Sequence, residues 1–115
     1  QAAVVRGRLM ELLATELLST DECDNAFVVG IFSLLDTMLG MPLKDALEAI
    51  PLPQSVTDAL LHNKGILAPF LQLTLACENA DDRLFADYAN ALQLTGDQVN
   101  MAHLQALFWA ENITS

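Results

Sequence analysis

Apolar residues recur at the three- and four-residue spacing of helices along almost the whole chain, and no segment alternates strictly between apolar and polar residues as a half-buried strand does. Glycine and proline residues divide this pattern into short stretches. The connections between the stretches are only a few residues long, which places successive helices side by side. The sequence therefore predicts an all-α protein, with residues 1–115 forming one compact bundle of about six to seven short helices.

The first two predicted helices differ in how much of their surface is apolar. The first carries one apolar stripe between Val5 and Leu17, and we expect residues 19–24 to form a polar linker after it. The second, over residues 25–39, is apolar on every side, which predicts a central helix surrounded by others. Within it, Gly30 predicts the close approach of a neighbouring helix, since an unneeded glycine there costs about 1 kcal/mol relative to alanine.

The remaining helices are delimited by local capping and stop signals. Gly40 ends the second helix, and Pro42 lies in the first turn of a third that runs to Ile50. The later signals are, in chain order, Pro53 and Asn63 around the fourth helix, Pro69 in the first turn of the fifth, Asp81 as the N-cap of the sixth, and a Thr95/Gln98 capping box that opens a seventh ending near Asn112.

The charge and hydropathy of the chain exclude two kinds of partner. Five basic residues against fifteen acidic ones leave a formal net charge of −10, which repels the phosphate backbone of nucleic acids and anionic lipid surfaces. No unbroken apolar run approaches the roughly 20 residues that a membrane-spanning helix needs. We therefore expect neither a nucleic-acid partner nor a membrane partner.

Residue types that carry chemistry are few and scattered. Cys23 and Cys77 predict reduced thiols of a cytoplasmic protein, and the acids beside each of them raise the thiol pKa. His62 and His103 lie far apart in the sequence, which favours surface or helix-capping positions over metal ligation. The sequence thus predicts no catalytic residue, no metal ligand and no cofactor.

Two residues are candidates for an interface or for a buried polar group. Asp36 is the one charged residue in the segment 26–43, and a buried carboxylate must find a partner or take up a proton. The alternative for Asp36 is an exposed carboxylate, or one bonded to a nearby backbone N–H. Trp109 has a polar tip that favours the edge of a core or an interface. The five phenylalanines lie at core spacing and predict packing: Phe27, Phe32, Phe70, Phe85 and Phe108.

The segment 26–81, preceded by RGRLMELLA at residues 6–14, resembles the C-terminal part of an HDOD domain, the HD-related output domain found after an EAL domain in bacterial cyclic di-GMP signalling proteins. Its most specific part is SLLD-x-x-LG-x-P-L, which begins at Ser33. The resemblance extends from Arg6 to Trp109. It implies that this chain is the C-terminal part of such a domain, without its N-terminal helices and without the EAL phosphodiesterase domain.

The resemblance also shows where this sequence departs from the parent HD hydrolases. Those enzymes bind metal through an adjacent His-Asp pair that follows an Ala-Phe-x-x-Gly-x-x run. Here that run is AFVVGIF at residues 26–32, and the next two residues are Ser33 and Leu34. A further histidine near the start of the family pattern is replaced by the Arg-Gly-Arg of residues 6–8. The resemblance therefore implies that the phosphohydrolase metal site is lost.

The resemblance implies a non-catalytic regulatory module that acts through contacts with the EAL domain or with another signalling partner, and the residues themselves add an apolar-rich bundle without a usable ligand set. Two alternatives stay open: a small-ligand sensor with a cavity under Asp36 and the aromatic cluster, and a residual metal-dependent phosphohydrolase that takes ligands from outside this chain. Hydrophobic residues make up 53% of the sequence, which predicts excess apolar surface. If the surface that the absent N-terminal helices would cover is exposed, we expect the chain to form a homodimer through it.

Overall fold

Helices are the only regular elements in residues 2–114, which the computed structural model describes, the side chain of Thr114 excepted. They pack into a globule of 38 × 34 × 28 Å, so the predicted all-α bundle is confirmed. The eight helices are α1 (Ala2–Ala14), α2 (Thr20–Phe32), α3 (Leu35–Leu39), α4 (Leu43–Leu47), α5 (Gln54–His62), α6 (Ala68–Glu78), α7 (Asp82–Ala91) and α8 (Gly96–Thr114).

The predicted second helix is divided into α2 and α3, which adds one helix to the seven expected. Leu34, with φ −105° and ψ 4°, leaves the helical conformation between them. Just before it, the Ser33 hydroxyl donates a hydrogen bond of 2.7 Å to the Gly30 carbonyl. A serine that bonds back to its own helix in this way competes with the backbone ladder and bends or ends the helix.

The start of α2 corrects the prediction of a polar linker over residues 19–24. Thr20 already begins the helix, and the Ser19 hydroxyl caps it by accepting a hydrogen bond of 3.3 Å from the Glu22 backbone N–H. The sequence held a signal for this, since Ser-x-x-Glu is the pattern of a capping box. The acidic residues that suggested a linker lie in the first helical turn, where negative charge is favourable.

The other predicted boundaries follow the local signals closely. Gly40 and Asn63 end α3 and α5 in the left-handed conformation, with φ of 68° and 50°. The Thr95 hydroxyl accepts from the Gln98 N–H at 3.0 Å while the Gln98 side chain accepts from the Thr95 N–H at 2.8 Å, so the capping box is confirmed. The predicted third helix is shorter than expected, because α4 ends at Leu47.

The crossing of α1 and α2 confirms the close approach predicted from Gly30. A Cβ atom on Gly30 would lie 2.3 Å from the Cα of Gly7 and 2.5 Å from its nitrogen. On the other side of the crossing, a Cβ atom on Gly7 would lie 2.9 Å from the Phe27 carbonyl oxygen. The two helices therefore pack backbone against backbone at a pair of glycines.

The centre of the protein is formed by α1 and α6, not by α2 as predicted. Six residues are buried in each of α1 and α6, whereas α2 buries four. α1 packs against α2, α6 and α8, and α6 also packs against α5 and α7. The apolar residues on the remaining sides of α2 are half-buried: Phe27, Val28, Ile31 and Phe32.

In the described part of the chain, no helix combines the length and hydropathy needed to cross a membrane.

Candidate functional site

A hydrogen-bond network around the buried Arg6 joins three helices close to the glycine crossing, with Ser33 half-buried and Glu78 at the surface. Arg6 on α1 is 8% exposed, and its guanidinium binds the carboxylate of Glu78 at the end of α6 in a bidentate pair. The Nε–Oε2 and Nη2–Oε1 distances are both 2.7 Å. Its Nη1 donates to the Ser33 hydroxyl at the end of α2 over 2.8 Å. Bidentate pairing of this kind fixes geometry as well as charge.

Sequence reasoning missed this network, although two signals were present. Arg6 lies one helical turn before Leu9 and Met10, which places it on the buried face of α1. Glu78 is the one charged residue of the apolar helix α6. Neither signal indicates which residue is the partner, because 72 positions separate Arg6 from Glu78 in the chain.

The residues around Ser33 do not fit a metal centre of the HD type. The resemblance places the metal-binding pair at Ser33 and Leu34. The Ser33 hydroxyl already donates to the Gly30 carbonyl and accepts from Arg6, and Leu34 offers no ligand atom. A guanidinium 2.8 Å from the hydroxyl carries a positive charge that opposes a divalent cation. In residues 2–114, no group of three or more His, Cys, Asp or Glu side chains could hold a metal ion.

An open cleft of about 460 Å³ lies beside this network, between α1, α5 and α6. Its lining includes Arg6, Ser33, His62 and Gln72, together with leucines of α5 and α6, but not Asp36. Asp36 is half-buried in the first turn of α3, and its Oδ1 accepts a hydrogen bond of 2.8 Å from the Thr37 backbone N–H. The structure thus places Asp36 in the backbone-bonded arrangement, one of the alternatives that the sequence left open.

Trp109, the other candidate, lies at the edge of the core where α8 meets α1 and α2. Its ring meets Phe27 edge to face, with 6.1 Å between centroids and 90° between planes. The Arg8 guanidinium lies 5.1 Å from the centre of the indole ring, within range of a cation–π interaction. Arg8 also pairs with Glu11 at 2.7 Å. Asp36 and Trp109 therefore belong to different parts of the molecule.

The outer face of α8 is apolar and exposed over two helical turns. Its inner face buries four residues: Val99, Ala102, Ala106 and Ala110. The exposed fractions on the outer face are 55% for Met101, 61% for Leu104, 47% for Leu107 and 70% for Phe108. We call these four residues the α8 stripe. The prediction that Phe108 packs in the core is wrong, because the alanine side of α8 faces the protein.

Burial raises the pKa of both thiols, and neighbouring acids add to this effect as predicted. For Cys23 the removal of water is the largest cause, and Glu11, Asp24 and Glu22 raise the pKa further, while a hydrogen bond with Thr15 partly opposes them. For Cys77 burial is again the largest cause, with Glu78 as the charged neighbour. The thiolate, which is the nucleophile, is therefore scarce at neutral pH.

We expect both native thiols to react at least about tenfold more slowly than free cysteine with a disulfide reagent such as dithionitrobenzoate at pH 7. The reaction rate of both thiols should rise with pH, because a thiol with a raised pKa forms its thiolate only at higher pH. Reaction of the protein unfolded in guanidinium chloride serves as the control and should be fast for both residues. A native reaction as fast as the unfolded one would contradict the assigned burial.

Two curated bacterial proteins are similar to this chain along nearly its whole length. The uncharacterized protein YuxH of Bacillus subtilis is 28% identical over 111 residues, which cover 96% of this chain and 26% of YuxH. The cyclic di-GMP phosphodiesterase CdgJ of Vibrio cholerae is 28% identical over 108 residues, which cover 94% of this chain and 25% of CdgJ. The chain thus spans about a quarter of the length of these relatives. No protein-family model matches it, and no solved structure matches it significantly.

Proposed function

We propose that this chain is a non-catalytic regulatory and protein-interaction module of a bacterial signalling protein related to cyclic di-GMP, equivalent to the C-terminal part of an HDOD domain. The similarity to CdgJ over 94% of the chain carries the proposal. Because that match covers only 25% of CdgJ, the rest of such a protein has room for a separate catalytic domain. The resemblance in the sequence implies an EAL domain in that role. A cytoplasmic location is proposed from the two cysteines, which predict reduced thiols.

The arginine network supports a role without catalysis. Two residues at positions where the resemblance locates metal ligands, Arg6 and Ser33, are bonded to each other, and Arg6 also pairs with Glu78, so that the network ties α1, α2 and α6 together. A buried arginine between a carboxylate and a hydroxyl leaves no free nucleophile and no free base at that point. Arg6 and Ser33 therefore hold helices together at positions where the parent hydrolases have metal ligands.

The exposed apolar surface supports action through protein contacts. Large apolar side chains are exposed on α8 and again around the turn between α3 and α4, where Met38 and Leu39 are 68% and 53% exposed. Clusters of exposed apolar side chains on small proteins mark binding surfaces more often than isolated ones do. We propose the catalytic domain of the same signalling protein as the partner of this module.

The test uses CdgJ from which the segment that matches this chain has been deleted. We expect the purified chain alone to leave cyclic di-GMP intact. Added to the shortened CdgJ, it should bind and should change the rate of cyclic di-GMP hydrolysis by about fivefold or more, the size of an ordinary coupling between sites. An unrelated acidic protein of similar size is the control. Hydrolysis by the chain alone, or the absence of both binding and a rate change, would overturn the proposal.

A further inference from the structure

The ends of the α8 stripe are marked by two exposed carboxylates on the same face of the helix. Asp97, Leu104 and Glu111 follow one another at heptad spacing, which brings all three to one side of α8. Asp97 and Glu111 are both exposed. Between them the helix contains no Asp, Glu, Lys or Arg. The outer face thus carries the α8 stripe and the exposed Asn100, with one negative charge at each end.

This charge pattern opposes the pairing of α8 with α8 of a second copy. In an antiparallel pair centred on Leu104, Asp97 of each copy would face Glu111 of the other. In a parallel pair, each carboxylate would face its own counterpart. Like charges opposed across a helix pair are destabilising, and the net charge of −10 adds repulsion between whole copies. The homodimer expected from the sequence is therefore disfavoured at this face.

A cleft next to the stripe offers a pocket for an anchoring side chain. It has a volume of about 440 Å³ and lies between the C-terminal part of α1 and the start of α8. Leu12, Leu13 and Leu94 form its apolar floor, and Met101 belongs to both the cleft and the stripe. Glu16 and Asp97 are in its lining as well. The apolar cleft is therefore bordered by negative charge, like the stripe itself.

We propose that the α8 stripe and this cleft bind an amphipathic helix of the partner, whose apolar face is flanked at both ends by Lys or Arg. Helix-in-groove binding requires apolar anchors at i, i+3 or i+4, and i+7, which match the two turns of the stripe. To reach Asp97 and Glu111, the two basic residues would be about 14 positions, or about 21 Å, apart on the partner helix. This inference rests on the proposed function and specifies the chemistry of the partner.

The test is a selection from a displayed library of 18-residue peptides with a helical pattern, randomised along one face and at the two flanking positions. We expect the chain to enrich peptides with an apolar stripe and basic flanks. Leu104→Asp should weaken their binding by at least about tenfold. Asn90→Asp, which adds the same charge at an exposed position of α7, is the matched control and should bind as well as the parent.

Reversal of both end charges distinguishes the proposed binding from nonspecific hydrophobic binding. Asp97→Lys combined with Glu111→Lys should weaken binding of the selected peptides by about fivefold or more. A new selection with this variant as the target should yield peptides with acidic flanks. The inference would be overturned if the selection enriched no helical peptide, or if the selected peptides bound Leu104→Asp as tightly as the parent. It would also be overturned if reversal of the two end charges left peptide binding unchanged. So would a concentration-dependent dimer in sedimentation that Leu104→Asp dissociates, because the face would then belong to a second copy.

The two proposals can fail separately. If the chain regulates shortened CdgJ and Leu104→Asp regulates it equally well, the function stands and the docking surface assigned to α8 is wrong. If the selected peptides behave as expected while the chain has no effect on CdgJ, the docking surface stands and the proposed function is wrong.

Discussion

Replacement of Gly30 by alanine should destabilise the protein by about 3 kcal/mol or more. Helix propensity alone favours alanine by about 1 kcal/mol, so the sign of the change depends on tertiary packing. The new Cβ atom would lie 2.3 Å from the Gly7 Cα atom, a backbone atom that cannot turn away as a flexible side chain can. The α1–α2 crossing, the most extensive contact between two helices in residues 2–114, would have to open.

Urea unfolding followed by circular dichroism measures this effect, with two other glycines for comparison. At Gly96 a Cβ atom would meet only the Phe85 ring at 3.7 Å, an ordinary contact, so Gly96→Ala should be neutral or slightly stabilising. Gly7→Ala should fall between the two, since its Cβ atom would approach the Phe27 carbonyl oxygen to 2.9 Å. A Gly30→Ala protein as stable as the parent would show that α1 and α2 do not cross at these glycines.

Replacement of Glu78 by alanine should cost about 2–4 kcal/mol, because it leaves the Arg6 guanidinium buried without its anionic partner. The Arg6 side chain is 9% exposed, whereas that of Glu78 is 29% exposed. Water can therefore reach an unpaired Glu78 far more easily than an unpaired Arg6. Arg6→Met, which keeps most of the apolar volume, should accordingly cost less, about 1–2 kcal/mol.

A double-mutant cycle tests this asymmetry directly. Glu78→Ala, Arg6→Met and the combined variant are compared in urea unfolding, and the combined variant should be more stable than Glu78→Ala alone. That result is expected because removal of Arg6 also removes the uncompensated charge. Additive losses, or a larger loss for Arg6→Met than for Glu78→Ala, would mean that the ion pair is hydrated and does not hold α1 and α6 together.

Much of the local structure could be predicted because its causes lie within a few residues of one another. The Thr95/Gln98 capping box, the Asp81 cap and the left-handed Gly40 each depend on neighbours no more than four positions away. Gly30 could be predicted as a point of close approach because a glycine inside an apolar helix is costly unless something needs the space. The linker predicted over residues 19–24 is wrong, because Ser19 and Glu22 form the cap at the start of α2 and their spacing is itself a capping signal.

The candidate site was far less predictable than the helices. Asp36 and Trp109 stood out in the sequence by residue type, but the structure gives the first a local backbone bond and the second a place in the packing of α8. The arginine network and the α8 stripe depend on which helices become neighbours. An apolar periodic pattern shows that a helix has an apolar face, and it does not show which face will be covered when the helix is apolar on several sides.

The sequence by itself determined that this chain is helical, where most of its helices begin and end, and that one helix must approach another at Gly30. Only the tertiary structure decided that α1 and α6 form the centre, that Arg6 pairs with Glu78, and that Phe108 faces outward. Helix limits follow from hydrogen bonds between residues close in sequence. The choice of neighbours follows from the burial of apolar surface between distant segments, a property of the whole arrangement that no local pattern contains.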